Sequence, residues 1–75
     1  MSFLEIDVLE GKRFSVATSL SQQFSEIEDI HFVVGEHDLL VETNLEGSDL
    51  LDLMCEIKSK VKGVGYVNPL FASVE

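Results

Sequence analysis

The chain has 75 residues, 14 acidic and 5 basic side chains and a net charge of −9, with 45% hydrophobic residues, too many for a disordered acidic tail. Its basic residues, Lys12, Arg13, Lys58, Lys60 and Lys62, cannot neutralise a phosphate backbone against that acidity, which excludes direct nucleic-acid binding and disfavours an anionic membrane surface. The single cysteine, Cys55, excludes an internal disulfide, and no ligand cluster suggests a structural metal, so a domain this small is expected to gain stability by oligomerising.

Residues 3–9 alternate: Leu4, Ile6 and Val8 are apolar and Glu5 and Asp7 lie between them, the period-two pattern of a half-buried strand. From Lys12 to Phe24 the period changes. Phe14, Ala17, Leu20 and Phe24 fall on one face of a helix, whose basic first turn, Lys12 and Arg13, opposes the helix dipole.

Residues 30–34 and 39–43 are short, β-branched apolar runs separated by Gly35-Glu36-His37-Asp38, which reads as a hairpin with Gly35 at a positive φ. A second helix opens at Gly47 and Ser48, with Ser48 as the candidate cap. Leu50, Met54, Ile57 and Val61 form its apolar stripe, Leu53 lies beside it, and Lys58, Lys60 and Lys62 stand near its C-terminal end, with Gly63 closing it. Residues 64–74 alternate again. Tyr66, Asn68 and Leu70 share one side and Val67, Pro69 and Phe71 the other, and Pro69 places this strand at an edge or bulge.

The order β-α-β-β-α-β predicts one α+β domain over residues 1–75, a ferredoxin-like four-stranded antiparallel sheet with two helices on one face. No helix is left to cover the other face. Val33, Phe71 and one of Leu39 or Leu40 are the apolar candidates for it, and His31 is expected to face the same side. An exposed apolar sheet face predicts a face-to-face dimer with His31, Val33 and Phe71 at its interface.

The segment Ile27-Glu28-Asp29-Ile30-His31-Phe32-Val33-Val34-Gly35-Glu36-His37-Asp38-Leu39-Leu40 resembles the centre of the Lrp/AsnC effector-binding domain, also called the RAM domain. Gly35 and Asp38 match its Gly-x-x-Asp turn, and Gly63-Val64 resembles the Gly-Val before its last strand. The likeness runs over nearly the whole chain. It departs from the family at Val67 and Pro69, where members carry Thr or Ser, and at Val34, where Thr is common; this removes hydroxyls that would contact a ligand.

The resemblance implies a stand-alone small-molecule sensing and oligomerisation module involved in transcription regulation, without the family's helix-turn-helix. It implies dimers that assemble further, possible mixed assembly with full-length Lrp/AsnC-type regulators, and an effector, commonly an amino acid, bound near Gly35, Glu36, His37 and Asp38. In that turn Glu36 and Asp38 would hold an ammonium group and the turn amides a carboxylate. The competing reading is that Asp38 bonds turn amides and fixes the hairpin.

Other constellations point to ordinary structure. His37, Asp38 and Glu36 match no closed zinc pattern, so no metal is expected there. Glu5, Asp7 and Glu42 could converge across strands, but carboxylates on strands usually face water. Cys55, near Leu51, reads as an inert flank of the core. No phosphate loop or nucleophile-base pair is present, so no catalysis and no cofactor are expected. A small ferredoxin-like enzyme with its site at a subunit junction is the alternative from another class. An ACT-like regulatory domain ranks lower, because Glu10-Gly11-Lys12 offers one glycine where such domains commonly have several. No apolar run approaches the roughly 20 residues of a membrane span, the first residues lack a signal-peptide pattern and the lone cysteine suits a reducing interior, so a cytoplasmic location is expected.

Overall fold

The computed structural model describes residues 1–33 and 38–70. The elements are β1 (Ser2–Val8), α1 (Arg13–Gln23), β2 (Ile27–Phe32), β3 (Asp38–Thr43), α2 (Gly47–Lys60) and β4 (Val64–Leu70). All neighbouring strands are antiparallel, in the order β2-β3-β1-β4, which is the ferredoxin-like arrangement.

Alternation in the central strand sets the core. Leu4, Ile6 and Val8 are buried, and residues directly opposite them in the ladder share their face: Val41 faces Leu4, Leu39 faces Ile6 on one side and Val67 faces it on the other. Leu39 therefore belongs to the core, and Leu40 is the residue that turns to the open face. Buried Thr43 ends the β3 row without an orphaned hydroxyl. Its Oγ1 donates to the Glu26 carbonyl at 2.7 Å and accepts from the Leu45 amide at 3.2 Å, tying the start of β2 to the exit from β3.

The first helix is rotated from its expected stripe. Val16 and Leu20, one turn apart, are buried, and Phe24 follows on the same line just past the helix. Phe14 is 74% exposed and stands at the flank, its ring 5.2 Å from that of Phe32. The basic first turn is explained by a distant partner. Arg13 Nη2 donates to the Val33 carbonyl at 2.8 Å, and the guanidinium lies 4.9 Å from the Phe32 ring centre. The unfavourable dipole position is thus offset by a bond that fastens the helix to the end of β2.

The second helix follows its expected stripe: Leu50, Leu53, Ile57 and Val61 are buried and Met54 is partly buried against them. Asp49 lies in its first turn and Lys58 and Lys60 in its last, as the dipole favours. Two expectations fail here. Ser48 lies inside the first turn, after Glu46, which itself makes no side-chain cap. Cys55 is exposed, because it occupies the helix side opposite the Leu53–Ile57 stripe.

Gly63 joins the two halves. It takes φ +96°, its carbonyl accepts the Leu9 amide at 2.7 Å, and a Cβ there would stand 2.9 Å from Lys12 Cβ. Both the backbone angle and the close approach require glycine.

Removing the Ile57 side chain to alanine should cost about 2–5 kcal/mol, since the site is fully enclosed by both layers. Thr43→Val should cost about 1–3 kcal/mol by stripping two bonds at nearly constant volume. Urea midpoints of the two variants against the parent check both values.

Candidate functional site

The second strand carries apolar residues Ile27, Ile30 and Phe32, a spacing that strict alternation cannot place on one face. A bulge resolves the conflict. Ile27 pairs with Thr43 and Asp29 pairs with Glu42, so Glu28 is the extra residue and the register shifts there. Beyond the shift, Ile30 pairs with Val41 on the helix side, while Asp29 and His31 turn to the open side.

The open face can then be read across the strands. Asp29, Glu42, Phe3 and Leu70 form one row. His31, Leu40, Glu5 and Asn68 form the next, and Asp38, Asp7 and Tyr66 the third. The face is therefore mixed: apolar side chains at Phe3, Leu40, Tyr66 and Leu70 are interleaved with five carboxylates. Glu5, Asp7 and Glu42 do share this surface.

At one end of it three polar groups converge. His31 Nε2 lies 3.4 Å from Glu42 Oε1 and 3.7 Å from Asp29 Oδ2. Asp29 is held by its own backbone, since Oδ1 accepts the Ile30 amide at 2.9 Å. The three donor atoms lie within 4.8 Å of one another. Glu42 is the most enclosed of the three, with 21% of its side chain exposed.

At the other end Asp38 stands opposite Asp7, with Tyr66 on the far side of Asp7. Asp7 leans over the neighbouring glycine, because a Cβ on Gly65 would meet Asp7 Oδ2 at 2.6 Å. Partial desolvation on the sheet, then the negative charges of Glu5, Asp7 and Asp38, push the Tyr66 phenol above its ordinary value near 10.

On the helix side an open groove of about 380 Å³ runs between α1 and the edge strand β2, lined by Phe14, Ala17, Ile27, Ile30 and Phe32 among others. It is the incompletely covered margin of the core.

Of the residues expected from the sequence, Asp38 and His31 lie on the open face, in adjacent rows of neighbouring strands. Val33 lies one residue past β2, half-buried, with its carbonyl taken by Arg13. Gly35, Glu36, His37 and Phe71 lie outside the described residues. The convergence of Asp29 and Glu42 on His31 was not anticipated. The Asp-x-His spacing was visible in the sequence, but its direction depends on the bulge. Among the described residues no helix is long and apolar enough to cross a membrane.

Comparison with models of known families, with curated proteins and with solved structures finds no match for this chain.

Tyr66 is the sole tyrosine and there is no tryptophan, so a tyrosinate absorbance titration reads one group. Its midpoint should lie above 10 in the parent and fall in Asp7→Asn. A raised folded-state value means that the fold disfavours the phenolate. The stability linked to Tyr66 is thus complete below the unfolded-state pKa and is lost as the pH rises through the folded one.

Proposed function

We propose that this chain is a non-catalytic assembly and effector-sensing module of the Lrp/AsnC RAM type, which pairs through its open sheet face. The observation that carries the reading is that face itself. Two helices cover one side of the sheet, while Phe3, Leu40, Tyr66 and Leu70 stand on the other, Tyr66 and Leu70 at 44% and 42% exposure. Burying such side chains against a second copy adds the apolar area that a domain of this size lacks.

The effector of the reading is an amino acid. Asp38, which the resemblance places in the Gly-x-x-Asp turn, lies opposite Asp7 in the ladder. A cationic ammonium there gains charge-assisted hydrogen bonds and relieves the repulsion between two facing carboxylates. Binding at the margin of the paired face links effector to assembly, because a ligand that prefers one assembly shifts the population toward it. Mixed pairing with full-length regulators of the same fold follows the same logic of matching sheet faces, and such partners would carry the DNA-reading part.

Pairing two identical acidic faces brings like charges together. Dimerisation should therefore strengthen with added salt, since screening reaches about 10 Å at 0.1 M. Leu40→Gln should weaken it about tenfold or more without unfolding the monomer. Native mass spectrometry and sedimentation, with and without a panel of amino acids, test the reading. Dimers or their multiples that gain one amino-acid mass per chain, with the gain lost in Asp38→Asn, are the expected outcome. A chain that stays monomeric at every salt and amino-acid concentration overturns it.

A further inference from the structure

We propose that Asp29, His31 and Glu42 form a binding site for one divalent transition-metal ion of the zinc class. The donor set is one imidazole nitrogen and two carboxylates, a combination that suits Zn²⁺ and its first-row neighbours and is poorly matched to the all-oxygen preference of Ca²⁺ and Mg²⁺.

The geometry is close to what a single ion requires. Donors bound at about 2.0–2.2 Å around a tetrahedral ion stand about 3.3–3.6 Å apart. The His31 nitrogen is 3.4 Å from one carboxylate oxygen and 3.7 Å from the other. All three atoms lie within 4.8 Å of one another, so a small side-chain rotation closes the remaining gap.

The supports are stiff. Asp29 and His31 are alternate residues of one strand after the bulge, and Glu42 is directly paired with Asp29 on the neighbouring strand. The Ile30 amide holds one oxygen of Asp29 and leaves the other facing His31. The surrounding field favours a dication as well. Glu5 lies on the same face in the row of His31, and Asp7 and Asp38 lie one row further, so the whole surface is negative. Three protein donors on an open surface leave the remaining coordination positions to water.

Zinc titrated calorimetrically into the full chain at neutral pH should bind at one ion per chain, and Co²⁺ should bind with visible absorption bands from the same site. Changes to groups that merely orient a ligand cost about 10–100-fold in affinity, so removing a ligand outright in His31→Gln or Glu42→Gln should weaken zinc by at least about tenfold. Circular dichroism should show both variants folded, since their side chains lie on the solvent side of the sheet. His37→Gln and Cys55→Ser should leave zinc affinity unchanged, and Ca²⁺ and Mg²⁺ should bind far more weakly than zinc. The proposal is overturned if zinc does not saturate, if His31→Gln binds like the parent, if affinity is lost in His37→Gln or Cys55→Ser, or if Ca²⁺ binds as tightly as zinc.

Discussion

Strand β1 is hydrogen-bonded on both of its edges, to β3 and to β4, and its alternation decides which way the whole sheet points. Leu4, Ile6 and Val8 look toward the helices; Phe3, Glu5 and Asp7 look away. A slip of one residue would exchange the two sets, burying two carboxylates and exposing three aliphatic side chains. That penalty pins the register of β3, which pairs residue for residue with β1, and that of β4 from Tyr66 to Leu70, where the pairing is unbroken up to the shift at Gly65. The helices then have one surface on which to dock, and their stripes at Val16 and Leu20 and at Leu50, Leu53 and Ile57 fill it.

The edge strand β2 answers to a different demand. It has one neighbour and must still turn Ile27, Ile30 and Phe32 toward the helix layer. The bulge at Glu28 meets that demand, and its consequence appears on the other side. Asp29 and His31 are brought onto the open face beside Glu42, so a packing requirement of the core is what assembles the polar cluster. Arg13 secures the far end of the same strand through the Val33 carbonyl and the Phe32 ring. The edge is thus set at one end by a register change and at the other by a side chain reaching across from α1.

This division explains what could be read from the amino-acid sequence. The β1 and β4 alternation and the α2 stripe are strong periodic signals, and the βαββαβ order followed from them. Choosing between Leu39 and Leu40 required the partner strand, because both are leucines and adjacent. Phe14 misled for a similar reason: its spacing to Ala17 fits a helix face, yet Val16, Leu20 and Phe24 make a tighter line of fours and take the core. Cys55 looked like a flank of the core because its type favours burial, whereas its angular position on α2 lies away from Leu53 and Ile57. The cluster at Asp29, His31 and Glu42 depends on the bulge, and no single residue in Ile27–Phe32 announces one.

The open face holds two tendencies in opposition. Its apolar side chains favour contact with another surface, and its carboxylates resist contact with an identical one. Charge is the adjustable term, because burial of Phe3, Leu40, Tyr66 and Leu70 changes little with ionic conditions while repulsion among Asp29, Glu42, Glu5, Asp7 and Asp38 changes a great deal. A cation at either end of the face, an ammonium between Asp7 and Asp38 or a metal ion among Asp29, His31 and Glu42, would reduce that repulsion without touching the apolar part. On the proposed reading, a small cationic ligand would not need to reshape the fold to alter pairing, since it would be enough to neutralise the charge that opposes it.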